Sequence, residues 1–192
     1  MPAYEVLQKT DFVTIEVQPG TTSADDPYVV RISGRFNELV TFKPLADLLR
    51  EKKVKAVDFD LAGVTDINSI GLREWLMTVE KLQTVAEIQF LKVSEVFVEQ
   101  SNIVANVLGK PGTPVVEFEG PFWCRACRKR SLRPLKTADF DLSSKTFPVP
   151  EFKCGTCSAT LEFDAIEQEF FRFLNHASPL KDLAKVPTKT PQ

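Results

Sequence analysis

Ala56-Val57-Asp58-Phe59-Asp60-Leu61 is followed, after a short connection, by Asn68-Ser69-Ile70-Gly71 and then by Leu72, Trp75, Leu76, Val79 and Leu82. The hexapeptide is short and largely apolar, which is the character of a central strand buried on both faces. The three- and four-residue steps from Leu72 to Leu82 place a single apolar stripe on a helix of about fourteen residues. A further apolar run, Ile88-Gln89-Phe90-Leu91-Lys92-Val93, comes at once. Strand, helix and strand in close succession predict an α/β unit.

Working outward from this unit extends the pattern in both directions. Upstream, Phe12-Val13-Thr14-Ile15-Glu16-Val17 and Tyr28-Val29-Val30-Arg31-Ile32-Ser33-Gly34-Arg35-Phe36 alternate and are rich in β-branched residues. The turn-forming stretch from Pro19 to Pro27 between them predicts a hairpin. From Phe42, the residues Leu45, Leu48 and Leu49 recur at helical spacing and end in Arg50-Glu51-Lys52-Lys53, whose cations complement a helix C-terminus. Downstream, a third helical pattern runs from Val96 to Leu108, with Gly109 as its closing residue and Pro111 just beyond. Val115-Val116-Glu117-Phe118-Glu119 reads as one more strand, and Phe163-Asp164-Ala165 as the start of a closing helix carrying Phe170, Phe171, Phe173 and Leu174. The expected fold is α/β: a mixed β-sheet with helices mainly on one face, followed by a small C-terminal metal-bound ribbon and a closing helix. The corresponding division is residues 1–112, residues 113–178, and a flexible polar tail at residues 179–192.

All four cysteines lie in two Cys-x-x-Cys pairs, Cys124/Cys127 and Cys154/Cys157. Two such knuckles brought together complete the tetrahedral four-sulfur shell that Zn²⁺ favours, so the spacing points to a zinc ribbon with structural zinc. Gly155, inside the second knuckle, is expected where the backbone turns back toward the sulfurs. Disulfides require an oxidising compartment, and Met1-Pro2-Ala3-Tyr4-Glu5 has no basic region leading into an apolar stretch. Trp123-Cys124-Arg125-Ala126-Cys127 also looks like a thioredoxin-type redox pair, whose first thiol is acidified at a helix N-terminus. Against thiol–disulfide exchange, the following Arg128-Lys129-Arg130-Ser131-Leu132-Arg133-Pro134 has no apolar helical face, and redox chemistry has no use for the second pair. Iron–sulfur ligation is a further alternative. His176, the only histidine, stands far from any ligand-like spacing and reads as a polar residue near a helix end.

The order of elements and the segment Val64-Thr65-Asp66-Ile67-Asn68-Ser69-Ile70-Gly71-Leu72 resemble a STAS domain, the module of anti-sigma factor antagonists and sulfate transporter tails. The resemblance spans roughly residues 10 to 110 and includes the Ile32-Ser33-Gly34 approach to the first helix and the Asp58-Phe59-Asp60-Leu61 strand. In antagonists of this type the loop reads Asp-Ser-Ser-Gly-Leu or Asp-Ser-Thr-Gly-Leu, and a partner kinase phosphorylates a serine in it. Aligning Gly71-Leu72 places Ser69 on that serine, with Asn68 in place of the aspartate and Ile70 in place of the second hydroxyl residue. The resemblance implies a cytoplasmic bacterial signalling protein that meets a protein partner, such as an anti-sigma-type serine kinase, through Asn68, Ser69, Gly71 and Leu72. The chemistry of the position is intelligible by itself: a serine at a helix start offers its hydroxyl outward, and the first backbone N–H groups receive a phosphate. Asn68 or Ser69 also serves as an ordinary N-cap, worth about 1 kcal/mol. Gly71, lacking a side chain, is expected to let a partner approach the helix start.

The chain of 192 residues has a net charge of −2. Counting from the sequence, 12 basic against 16 acidic residues precede Thr113 and 12 against 10 follow, so the halves carry −4 and +2. Between Pro121 and Thr137, the bases Arg125, Arg128, Lys129, Arg130, Arg133 and Lys136 occur with no acidic residue and with Phe122 and Trp123 next to them, so a nucleic-acid adaptor that binds through the ribbon is the second function considered. The bland reading of the same patch is a solvated loop whose cations offset a four-thiolate shell. Enzyme classes find little support. Leu108-Gly109-Lys110-Pro111 has proline where a phosphate loop needs serine or threonine, one histidine leaves triads without a base, and a closed four-cysteine shell has no open position for water. No run approaches eighteen apolar residues, the length of a membrane span.

Overall fold

A computed structural model describes residues 3–20, 26–144 and 146–178. In chain order the elements are β1 (Glu5–Lys9), β2 (Val13–Gln18), β3 (Tyr28–Phe36), α1 (Lys43–Glu51), β4 (Ala56–Ile67), α2 (Ser69–Leu82), β5 (Glu87–Val93), α3 (Glu95–Ile103), β6 (Val115–Cys124), β7 (Lys129–Lys136), β8 (Glu162–Phe163) and α4 (Glu167–Phe170). Single 3-10 turns occupy Thr137–Asp139 and Phe171–Asn175. The expected tail, residues 179–192, lies outside the described residues.

The strands form one eight-stranded sheet in the order β1-β2-β3-β4-β5-β6-β7, with β8 added to β6. β2 and β3 pair as the expected antiparallel hairpin, whereas β3, β4, β5 and β6 run parallel. The difference follows from the connections: α1, α2 and α3 each carry the chain back across the sheet to start the next strand in the same direction, and no helix stands between β2 and β3 among the described residues. The resulting fold is mixed α/β, as the alternation of periods predicted.

One face of this sheet is apolar and the other polar. Val30, Phe59, Phe90 and Val115 are register partners across β3, β4, β5 and β6, and all four are buried. Trp75 of α2 is fully buried and packs on Phe59 at 5.4 Å between ring centroids, on Phe90 at 6.4 Å, and on Phe97 of α3 at 5.3 Å. Phe42, just before α1, joins them at 5.5 Å from Trp75. These edge-on and tilted ring contacts bring the three helices onto the same face. On the opposite face Glu16, Arg31 and Asp60 are register neighbours and form ion pairs at 3.9 and 3.4 Å. Asp58, two residues from Asp60 on that face, accepts a bond from Gln89 at 2.8 Å, while burial pushes its carboxyl above the usual range.

The structure departs from the sequence expectation at four places. β1 was not anticipated; its burial alternates poorly, and it exists by pairing with β2 at the sheet edge. β4 continues to Ile67 because β3 offers partners up to Phe36. The third helix stops at Ile103 rather than Leu108. Val104 is extended, Asn106 and Gly109 have φ of 63° and 75°, and the Val107 carbonyl turns inward to accept the Trp75 Nε1 hydrogen at 2.8 Å. The indole thus supplies a donor to a buried carbonyl that would be unpaired at the end of a helix running to Leu108. Finally, Phe163 lies in β8, and the closing segment is a short α4 continued by a 3-10 turn.

β6 binds the two parts of the chain into one sheet. Its first half pairs with β5 through Phe90↔Val115 and Val93↔Phe118, and its last residues pair with β8 through Phe122↔Phe163 and Trp123↔Glu162. β7 runs along its other edge from Glu117↔Lys136 to Cys124↔Lys129. A second aromatic cluster surrounds Phe118, which lies 4.9 Å from Phe173, 5.9 Å from Phe140 and 6.2 Å from Phe171. Among the described residues no helix is long and apolar enough to cross a membrane.

Candidate metal centre

The first knuckle is the tip of the β6–β7 hairpin. Cys124 ends β6, and the turn through Cys127 returns the chain to Lys129. The second is the tip of a smaller hairpin, in which Lys153 bridges Thr160 and the Cys154 amide donates to the Ala159 carbonyl at 2.8 Å. Both turns solve the same problem in the same way. The residue after the second cysteine of each pair is left-handed, Arg128 at φ 54° and Ser158 at φ 60°.

Gly155 is therefore not the residue that turns the chain: its φ is not positive, and a Cβ built there meets nothing within 4 Å. A non-glycine residue in the left-handed region costs about 1 kcal/mol, so Ser158→Gly is expected to stabilise the fold by about 0.5–1 kcal/mol in denaturant unfolding. Gly155→Ala should be close to neutral in the same measurement. The reverse order would place the strain back at Gly155.

All four sulfurs lie within 4.8 Å of one another. Cys124 Sγ is 3.6 Å from Cys157 Sγ, and Cys127 Sγ is 3.8 Å from Cys154 Sγ. Four sulfurs at about 2.3 Å from one tetrahedral ion would be about 3.8 Å apart, whereas a disulfide requires about 2.05 Å. The separations match the edges of a shared coordination shell. Backbone amides complete the cradle: Cys127 N–H points at Cys124 Sγ over 3.4 Å. At Cys154, the N–H groups of Thr156 and then Cys157 favour the thiolate and pull the thiol down to about 6. Hydrogen bonding with the Cys157 and then the Cys154 sulfur pushes the Cys127 thiol up to about 12. Cys124 is buried and Cys157 exposed, which leaves one corner of the cluster toward solvent.

Beneath the sulfurs, Phe122 packs on Phe152 at 4.9 Å and on Phe163 at 5.3 Å, joining both hairpins through an apolar floor. The thioredoxin-like environment is missing, because Cys124 lies at a strand end rather than at a helix N-terminus.

The cations around the cluster divide into two kinds. Arg125 pairs with Glu162 at 2.6 Å, and Arg130 donates from Nε to Asp164 at 3.0 Å and from Nη1 to Glu95 at 2.9 Å, with a second guanidinium bond to Glu95. The Glu95 side chain is only 11% exposed, so this forked pair is a clasp between the hairpin and the first turn of α3. Arg128 and Lys129 are exposed and take part in no ion pair among the described residues. The stretch from Lys129 to Lys136 is a strand, not the cationic loop that its charge suggested. Sequence reasoning missed Glu95, Glu162 and Asp164 because each lies more than thirty residues from the arginine it holds.

At the other candidate site, Asn68 is the N-cap of α2: its Oδ1 accepts from Ile70 N at 3.1 Å and Gly71 N at 2.9 Å, and its Nδ2 donates to Glu38 at 3.0 Å. Ser69, the first helical residue, is exposed and carries no part of the cap. Gly71 and Leu72 are buried beneath them. A Cβ on Gly71 would come within 2.4 Å of the Phe36 carbonyl group, so the glycine is there for β3 to pass and not for a partner to approach. The surface at this helix start is formed by Asn68, Ser69 and Ile70, with Leu39 exposed beside Glu38.

Compared with known proteins, the chain matches no family model and no curated protein.

Proposed function

We propose that this chain is a signalling interaction module of the STAS type, without catalytic chemistry, which meets a protein partner at the start of α2. One structural Zn²⁺ held by Cys124, Cys127, Cys154 and Cys157 completes the C-terminal lobe. The observation that carries the contact surface is the division of labour at the helix start: Asn68 makes the cap, which leaves the exposed Ser69 hydroxyl free to be modified. Ile70 and Leu39, 52% and 62% exposed, supply apolar contact area beside it. A phosphate on Ser69 would add about two negative charges next to Glu38 at the positive end of a 14-residue helix, with Arg73 one turn further on. Such a change alters the partner's view of the surface without altering the core.

The ion is read as Zn²⁺ from the four-thiolate donor set and the backbone N–H groups directed at sulfur; iron and softer ions accept the same donors, and elemental analysis of the bound metal distinguishes them. A nucleic-acid adaptor is the weaker reading, since Arg125 and Arg130 of the basic patch are already engaged by carboxylates.

The switch is tested by incubating the purified chain with serine kinases of the anti-sigma type and mapping phosphate by mass spectrometry. Stoichiometric modification at Ser69, abolished in Ser69→Ala, is the expected result. Modification elsewhere, or none with any kinase, removes the switch from the proposal.

A further inference from the structure

Between the chain from Ser101 to Val115 and the closing 3-10 turn lies a cavity of about 270 Å³. Val104, Leu108 and Phe173 contribute apolar wall, and Lys110, Arg172 and His176 are the ionisable residues that line it. Among the described residues no carboxylate lines the cavity, and neither Lys110 nor Arg172 enters an ion pair. Two unmatched cations beside an apolar concavity give its opening a positive potential.

The walls are held from several sides. Asn102 donates to the Phe170 carbonyl and accepts from the Phe173 amide, both at 2.8 Å. The Gly112 amide donates to the His176 carbonyl at 2.8 Å, and the Trp75 indole anchors the Val107 carbonyl at the same distance. A cavity tied by hydrogen bonds to both the sheet domain and the closing turn is preformed, so a ligand does not bear the cost of shaping it.

We infer that this cavity is a binding site for a small organic anion, an apolar body ending in a carboxylate or similar group. An apolar cavity of about 150 Å³ accepts benzene, so the space suits roughly ten to twelve non-hydrogen atoms. The apolar body lies against Phe173 and Leu108, and the anionic group faces Arg172 and Lys110. Neither the four sulfurs nor the Ser69 surface contributes to it.

The test is a magnetic resonance titration of the metal-loaded full chain with 3-phenylpropionate, using 3-phenylpropylamine as the charge-reversed control. His176 is the only histidine, so its ring protons report the cavity mouth without ambiguity, and the Trp75 indole N–H reports its floor. Saturable shifts of both signals with the acid and none with the amine are expected, with affinity falling about tenfold in Arg172→Ala or Lys110→Ala. Both substitutions are at exposed side chains, and the unshifted spectrum of each variant verifies its fold. Absence of a saturable shift at millimolar acid, an equal response to acid and amine, or affinity unchanged by both substitutions overturns the assignment.

Discussion

Replacing Cys124 with serine is expected to reduce the bound metal from one ion per chain to none and to unfold the two cysteine hairpins while the parallel strands persist. A structural four-thiolate site contributes about 10–16 kcal/mol of apparent binding free energy in isolated zinc peptides near neutral pH, comparable to the whole stability of a domain. Here the hairpins also share the Phe122 floor and the Arg130–Glu95 clasp, so metal loss should cost much of the local order rather than the entire fold. Hydrogen exchange gives the regional answer. Amides at Trp123, Lys129 and from Cys154 to Leu161 should lose protection, whereas Ile32 and Phe59 retain theirs. Elemental analysis supplies the stoichiometry, and a strong chelator should reproduce the variant's exchange pattern in the native chain. A metal-free protein whose hairpin amides remain as protected as before would sink the structural-zinc reading.

Trp75→Ala is the second large effect, with an expected loss of about 3–5 kcal/mol from the cavity alone. The indole is in ring contact with Phe36, Phe42, Phe59, Phe90 and Phe97, so no single neighbour can collapse into the space. It also leaves the Val107 carbonyl buried without its donor. Trp75→Phe separates the two contributions, since it retains most of the ring packing and removes the hydrogen bond. About 1–3 kcal/mol is expected for that variant in urea unfolding. A Trp75→Phe chain as stable as the native one would mean that the bond does not hold the loop after α3 in place.

Much of the fold was legible because it is written in short-range periodicity. The apolar steps from Leu72 to Leu82 predicted a helix of the observed extent, and the alternation of Val13, Ile15 and Val17 matches the buried face of β2. Where the reading failed, a distant partner had overridden the local pattern. The helical spacing from Val96 to Leu108 is real, yet the helix ends at Ile103, and beyond it the Val107 carbonyl accepts from an indole of another helix. The run from Lys129 to Lys136 has a charge density typical of a loop, but β6 offers it a full ladder of partners. The glycines show the same contrast. Gly155 resembled a turn residue and is not one, and Gly71 resembled an open surface and instead admits the Phe36 backbone.

Local spacing alone established the α/β alternation, the two cysteine pairs and a helix start at Asn68 or Ser69, since each rests on residues within one turn or one knuckle of each other. Three-dimensional packing alone decided that β6 serves both sheet and ribbon, that the four sulfurs converge within 4.8 Å, that Arg130 is tied to Glu95, and that a cation-lined cavity opens behind α3. Those outcomes depend on groups distant along the chain, 27 residues apart for Cys127 and Cys154 and 35 for Arg130 and Glu95, and no periodicity along a chain encodes which distant atom will arrive.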